Sequence, residues 1–351
     1  MASTAHACWD KGTLRAPRVS THPIAAVSNN VCAGDFWLQE LDVPLTHSSK
    51  PFVYVNVGAN KGYNIAAMLQ MFGNATFSNE HWHSELLHYV HKNGLPVRQR
   101  AGKTGYTCGV CLSCMDTFAR RHVARSVDIH AFEIVPDLFS WLKWACAHFG
   151  IPASLVHAAV SGNSGIAMIP TNFVPFFGYE ATRLWRTGTA YKVSPIRSTT
   201  LDDYFRDERM QRVDFVQIDA EGNDGKVVLG MNRSLSNRTI ELLEFEYTQE
   251  WASHGQDLQK TIHWLHELGY GCFWQADLQL VPISGECFRS WYSNELAGNI
   301  ACSHGDTLDG LWALTVPRDY RRDNIWVSVD GAARNYTHRG HVQTLRSPLA
   351  G

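Results

Sequence analysis

The feature that most constrains this fold is a β-rich run that passes through a glycine-containing turn into a helical pattern. Residues 52–57 read FVYVNV between Pro51 and Gly58, which is typical of a buried strand. Apolar residues then recur at helical spacing over residues 63–72. A strand, a glycine turn and a helix in this order predict the first unit of an α/β fold.

The same alternation continues along the chain. Further strands are predicted at 127–132, 155–160, 213–218, 240–247 and 270–274, and a last one at 312–316. Helices are predicted at 136–149, 225–231 and 258–268. Strands that alternate with helices favour a mostly parallel sheet covered by helices on both faces.

Two long connections and the chain termini define the predicted organisation. Residues 1–50 form an irregular lead-in, 51–283 an α/β domain and 284–351 a C-terminal extension. Residues 74–126 exceed an ordinary loop and form an insertion in this domain, and 161–198 form a second long connection.

Charge and hydropathy exclude several classes of protein. A formal net charge of -2 provides no overall field for nucleic acid, so no nucleic-acid partner is expected. No apolar run approaches the length of a membrane span. The first ten residues do not resemble a secretory signal, which favours the cytoplasm, whereas four Asn-X-Ser/Thr sequons favour a Golgi-type or other secretory lumen reached through an anchor outside this sequence.

The turn after the first strand has the composition of a cofactor loop. Gly58, Asn60 and Gly62 let a ligand approach the backbone, and the following helix presents free N–H groups. The alternative is a tight turn without a ligand. Glu133, at the end of the next strand, favours the cofactor because an acidic residue there meets ribose hydroxyls. Glu133 lies 71 residues after Gly62. Without the 53-residue insertion this separation is 18 residues, which is close to the expected offset of about 20.

Further carboxylates follow the later strands. Asp219 and Glu221 come directly after the strand at 213–218 and are expected in the same crevice as the glycine loop. Their alternative role is to cap the next helix and complement its dipole. Glu244 and Glu246 share one face of the strand at 240–247, and Glu246 is the better site candidate because it is nearer the carboxyl end.

A cysteine cluster lies in the insertion. Cys108, Cys111 and Cys114 have the two-residue spacing of zinc thiolates, with several histidines nearby. The same cysteines would form disulfides in an oxidising lumen, or stay free. The sequence leaves these three alternatives open.

Four motifs in order resemble those of FkbM-type S-adenosylmethionine-dependent methyltransferases. The motifs are VNVGANKGY at 55–63, AFE at 131–133, TLDDY at 200–204 and DFVQIDAEG at 214–222. The resemblance implies a Rossmann-like class I methyltransferase fold, with a mostly parallel seven-stranded sheet that contains one antiparallel strand. It also implies O-methylation of a carbohydrate or another small hydroxylated acceptor.

The resemblance assigns roles to residues of this chain. The cofactor would contact Asn56, Gly58, Asn60, Gly62, Phe132, Glu133 and Asp219. Asp219, Glu221 and Glu246, or a nearby histidine, are candidates for the base that removes the acceptor proton. Alternatively, the carboxylates would hold Mg²⁺ and lower the pKa of the acceptor hydroxyl.

Four residues depart from the pattern of the family that the chain resembles. Asn56 stands where an aspartate is common, Gln217 where a lysine is usual, and Asn223-Asp224 where Ala-Glu is typical. A catalytically inactive cofactor-fold binding module is therefore one alternative function. A nicotinamide-dependent oxidoreductase is another, disfavoured because the loop lacks G-x-G-x-x-G.

Overall fold

The structure is a computed structural model that describes most of the region from residue 50 to residue 315. The described residues are 37–38, 41, 50–95, 99–100, 103–104, 126–170, 193–276, 279–294, 297–315, 335–336 and 342–343.

The described elements alternate between strands and helices. The strands are β1 Phe52–Val57, β2 Gln99–Arg100, β3 Lys103–Thr104, β4 Val127–Phe132, β5 Ala153–Val156, β6 Ala159–Val160, β7 Gly165–Pro170, β8 Val193–Thr199, β9 Val213–Ile218, β10 Ile240–Thr248, β11 Gly271–Ala276, β12 Gln279–Pro282, β13 Ala297–Ser303, β14 Asn335–Tyr336 and β15 Val342–Gln343. The helices are α1 Tyr63–Met71, α2 Asn79–Lys92, α3 Pro136–His148, α4 Leu201–Asp207, α5 Asp224–Leu229, α6 Asn232–Ser236, α7 Glu250–Ser253, α8 Leu258–Glu267 and α9 Gly305–Ala313, with 3-10 helices at Gly285–Cys287 and Ser290–Asn294.

One large mixed sheet organises the α/β fold. Its strand order is β12-β11-β13-β10-β9-β1-β4-β5. The five strands from β10 to β5 in this order pair in parallel, whereas β13 is antiparallel to both β10 and β11, and β12 is antiparallel to β11. The prediction of an α/β fold is confirmed, but the seven-strand count is wrong, because the sheet has eight strands and two of them run against the others.

The central strands explain why the sheet is buried on both faces. Every residue of β9 is buried, and β1 is buried except for the half-buried Val53. Phe52 and Tyr54 belong to one apolar cluster, and Val55 and Val57 belong to a second cluster across the sheet. The two-residue period of a strand thus supplies both layers of the core.

The insertion and the second long connection both contain regular structure. Helix α2, inside the predicted insertion, buries Trp82, Leu86 and Val90 and contacts α1 and α3. The predicted strand at 155–160 is instead two short strands, β5 in the large sheet and β6 in a separate three-stranded sheet with order β6-β8-β7. The chain passes from the large sheet to the smaller one between β5 and β6. The apolar pattern of residues 155–160 does not reveal this change.

The C-terminal part of the large sheet differs from the prediction. A strand was expected at 312–316, but helix α9 extends to Ala313, residues 314–315 form no strand, and residues 297–303 form β13. The division at residue 283 stays a prediction, although β13 lies beyond it and inside the large sheet. Cys272 and Cys302 face each other on β11 and β13 and form a disulfide. None of the helices in the described ranges has both the length and the apolarity needed to cross a bilayer.

A buried polar network crosses the sheet at Glu244. Its two carboxylate oxygens accept hydrogen bonds from Gln217 Nε2 at 2.8 Å and Gln275 Nε2 at 2.7 Å. The Tyr54 hydroxyl donates in turn to Gln217 Oε1. Because buried polar groups are costly without partners, this network fixes the register of β1, β9, β10 and β11. Glu244 is therefore a structural residue.

We expect Glu244→Ala to lower the free energy of unfolding by about 2–4 kcal/mol, since it leaves the Gln217 and Gln275 amides without their acceptor. Glu246→Ala is the matched control, because Glu246 lies on the same strand but is only half-buried. Urea unfolding measures both. Equal losses in the two variants would contradict a structural role for the network.

Candidate active site

A cleft opens at the carboxyl ends of β1, β4 and β9. It encloses about 590 Å³ of empty space, part of it open to solvent. Its walls come from four segments, and the lining residues are Val57, Gly58, Asn60, Phe132, Glu133, Ile134, Val135, Leu138, Ala158, Ala159, Val160, Asp219, Ala220, Glu221 and Asn223. Six of the predicted site residues, Gly58, Asn60, Phe132, Glu133, Asp219 and Glu221, thus lie together. Asn56, Gly62 and Glu246 do not line this cleft.

Gly58 stands where the β1 and β9 loops make their closest approach. Its φ is +77°, and a Cβ atom there would lie 1.8 Å from the backbone oxygen of Asp219. The Gly58 and Ala59 N–H groups both donate to the Phe132 carbonyl, and Asp219 N–H donates to Val57 O at 2.9 Å. Only glycine fits this position, and these bonds lock the three strand ends together.

Gly62 has a packing role behind the loop. Its φ is +79°, and a Cβ atom would lie 2.7 Å from side-chain atoms of both Trp82 and Leu142. The indole N–H groups of Trp82 and Trp141 both donate to the Lys61 carbonyl, at 2.8 and 2.9 Å. The loop is therefore held from behind by α2 and α3, and the predicted contact of Gly62 with a ligand stays a prediction.

Glu133 joins the end of β4 to the glycine loop. It is buried, its Oε2 accepts from Asn60 N–H at 2.7 Å, and its Oε1 accepts from Val135 N–H at 2.7 Å. Glu133 also lines the cleft. The position matches the one predicted for a ribose contact, and its second role, ordering the loop, was not visible in the sequence.

Two asparagines bring unsatisfied polar atoms to this region. Asn56 is fully buried and neither atom of its amide has a hydrogen-bond partner among the described residues, and the same holds for Asn60 Oδ1. Asn60 and Glu221 both have left-handed backbones, with φ of 52° and 50°. Unsatisfied buried atoms and rare backbone conformations beside one cleft are features of a ligand site.

Asp224 organises the loop that follows β9, a role missed by sequence reasoning. Its carboxylate accepts from Ala220 N–H at 3.0 Å and Gly222 N–H at 3.1 Å. Burial, followed by the charge of Asp219, raises the pKa of Asp224 to about 8. Desolvation by the surrounding protein also raises the pKa of Asp219, although the residue is exposed at the cleft. The AEGND sequence contains Asp224, but its burial depends on packing that no motif encodes.

His254 and Gln256 support the same loop from outside. His254 Nδ1 lies 2.9 Å from Gly222 O, and Gln256 Nε2 donates to that carbonyl at 3.2 Å. An Nδ1–H that donates to a carbonyl leaves Nε2 of a neutral imidazole as an acceptor. His254 is half-buried and adjoins the acidic side of the cleft, so it remains a candidate base. His254 and Gly222 are 32 residues apart in the chain, and no sequence pattern predicts a contact over this separation.

The other predicted site residues have different surroundings. Glu246 is half-buried on β10 opposite Asn299. Cys108, Cys111 and Cys114 lie outside the described residues. Within the described ranges, no three His, Cys, Asp or Glu side chains form a group suited to a metal ion, so the structure does not support the predicted magnesium. The predicted zinc site lies outside these ranges.

Comparison with known proteins gives one family. The family model described as the methyltransferase FkbM domain matches residues 56–272, more than half of the chain. This range contains all the residues that line the cleft. No curated protein and no solved structure matches the chain significantly.

We expect Gly58→Ala to destabilise the fold by about 3 kcal/mol or more, from a strained positive φ and a clash with the Asp219 carbonyl. Gly150→Ala is the matched control, because Gly150 has a φ of +66° and open space around its Cβ position, and about 1–2 kcal/mol is expected there. Thermal and urea unfolding measure the two. A similar loss in both variants would show that the loops do not meet at Gly58.

The raised pKa of Asp224 predicts a pH-dependent stability. A carboxyl group with a folded pKa of about 8 and an ordinary value of 3.8 contributes stability that is complete at low pH and is lost as the pH rises through 8. Asp224→Asn should therefore remove at least about 1 kcal/mol of the loss in unfolding free energy between pH 5 and 8.5. Asp306→Asn, at an exposed carboxyl of α9, is the control substitution. An unchanged profile in Asp224→Asn would contradict this account.

Proposed function

The chain belongs to the FkbM methyltransferase family, and on this premise we propose that it transfers a methyl group from S-adenosylmethionine to a hydroxyl group. The proposed acceptor is a carbohydrate or another small hydroxylated molecule. The observation that carries the proposal is the position of Glu133, which lines the cleft and bonds to the glycine loop at Asn60. An acidic residue at this strand end is suited to bind the two ribose hydroxyls of a nucleoside cofactor.

The residues of the cleft fit such a cofactor. Gly58 lines the cleft without a side chain, and Asn60 brings a buried oxygen that has no partner among the described residues. Gly58 and Asn60 would hold the methionine part, Glu133 the ribose, and Phe132 would contact the cofactor from the end of β4. When bound, the cofactor supplies an electrophilic methyl group on a sulfonium.

The acidic side of the cleft would bind the acceptor. A hydroxyl group must lose its proton to act as a nucleophile, and a base within hydrogen-bond reach serves this purpose. Asp219 and Glu221 line the cleft, which supports either carboxylate as this base, with His254 beside the same loop as a further candidate. The side chains of Asp224 and Gln256 form hydrogen bonds with backbone atoms of the loop, so both are positioning residues.

Bringing the acceptor oxygen and the methyl carbon into line is the main task of such a site. The loop from Asp219 to Asn223 is fixed by Asp224 on one side and by His254 and Gln256 on the other. Asn223 Nδ2 also donates to Val160 O at 3.1 Å, which ties the loop to the opposite wall. A loop that is held on both sides would fix the orientation of a bound acceptor relative to the methyl group.

Calorimetric titration with S-adenosylhomocysteine tests the cofactor part of the proposal. We expect micromolar binding by the wild type and no detectable binding by Glu133→Ala, since the variant loses both the ribose contact and the bond that orders Asn60. Glu221→Gln should bind with wild-type affinity and show a lowered turnover, because its carboxylate is assigned to the acceptor side.

The controls separate the possible outcomes. Glu80→Ala, an exposed residue on α2, should bind as the wild type does. Equal loss of binding in Glu133→Ala and Glu221→Gln would contradict the division of roles. No binding by a folded wild type would favour a non-catalytic binding module, and binding without turnover on any hydroxylated acceptor would do the same.

A further inference from the structure

The cysteines of the large sheet carry information about the compartment in which the chain folds. Cys272 and Cys302 form a disulfide between neighbouring strands and are almost fully buried, with 1% and 0% of their surface exposed. Cys287 is also disulfide-bonded. In the described ranges only Cys146 is a free thiol. Disulfides of this kind form and persist in oxidising compartments and are rare in the cytosol.

Three sequons lie within the described residues, and each has an exposed asparagine. They are Asn74-Ala75-Thr76, Asn232-Arg233-Ser234 and Asn237-Arg238-Thr239. The Asn74 amide makes no hydrogen bond to any described residue, and the turn that carries it connects α1 to α2. An exposed sequon in a surface turn is what N-linked glycosylation requires of a folded product.

Two of these asparagines, Asn74 and Asn237, lie at the edge of the sheet opposite the cleft. Gly73 lies against Val127, the first residue of β4, which places Asn74 at the amino ends of the parallel strands. The Thr239 carbonyl accepts from the N–H of Val213, the first residue of β9, and this places Asn237 at the same edge. The cleft lies at the carboxyl ends, so a glycan on either residue leaves it open.

We propose that this chain folds in an oxidising secretory lumen and carries an N-linked glycan on Asn74. The proposal does not depend on the proposed methyl transfer. Two independent observations carry it, a buried cross-strand disulfide and an exposed sequon at the edge away from the cleft. Asn237, at the end of α6, is an additional acceptor at the same edge, and Asn232, at the start of α6, is a further exposed one.

The covalent steps balance with reagents that such a lumen supplies. The Asn74 amide nitrogen forms a bond to C1 of an oligosaccharide carried on a lipid diphosphate. The C1–O bond breaks, the lipid diphosphate leaves with the electron pair, and the amide loses one proton. The Cys272 and Cys302 thiols lose two protons and two electrons to the disulfide of a thiol oxidoreductase, which is reduced to its dithiol.

The test expresses the full chain in its own cells as the wild type, Thr76→Ala and Thr76→Ser. Thr76 is exposed, so both changes leave the core intact. Thr76→Ala destroys the sequon and keeps Asn74, whereas Thr76→Ser keeps both. We expect glycopeptide mass spectrometry to find a glycan on Asn74 in the wild type and in Thr76→Ser, and none there in Thr76→Ala.

The same purified proteins report on the disulfide. Alkylation of the denatured protein without reduction should leave Cys272 and Cys302 unmodified, and alkylation after denaturing reduction should label both. An unmodified Asn74 in the wild type would overturn the glycosylation site, even if Asn232 or Asn237 carries a glycan. Free Cys272 and Cys302 thiols in the denatured, unreduced protein would overturn the oxidising lumen.

Discussion

The close approach of the β1 and β9 loops is the constraint on which the rest of the site depends. Gly58 meets the backbone of Asp219 so closely that no side chain fits between them, and backbone hydrogen bonds join both strand ends to the end of β4. Parallel strands that end at one edge bring their loops together, and this contact closes the floor of the cleft. This contact determines the positions of Asn60, Glu133 and the acidic loop.

The electrostatics of the cleft follow from that arrangement. Glu133 is buried but bonded to two backbone N–H groups, so its acceptor character is directed at the glycine loop and the cleft. Asp219 and Asp224 are close enough for the charge of Asp219 to raise the pKa of Asp224. One wall therefore presents fixed hydrogen-bond acceptors, as the proposed cofactor requires, and the other presents carboxyl groups whose protonation responds to their surroundings.

The elements that were predicted correctly have local sequence signals. The elements that were missed depend on pairing between residues far apart in the chain. Strands β1, β4 and β9 are short runs rich in β-branched and aromatic residues, and the spacing that remains without the insertion is enough to predict Glu133 beside the glycine loop. Strand β13 was missed because it joins the sheet between two strands that precede it in the chain. The Gly222 contacts of His254 and Gln256 span more than thirty residues, and no periodicity reports a contact over such a separation.

The network at Glu244 shows how the chain accommodates a departure from the pattern that it resembles. A lysine at position 217 would pair with the Glu244 carboxylate by charge. Gln217 instead donates one hydrogen bond to it and accepts one from Tyr54, while Gln275 satisfies the other carboxylate oxygen. Hydrogen bonds to a buried carboxylate can replace a buried ion pair because both supply donors to the same oxygens. The glutamine is thus a structural substitution on the strand before Asp219, and it leaves the carboxylates that line the cleft in place.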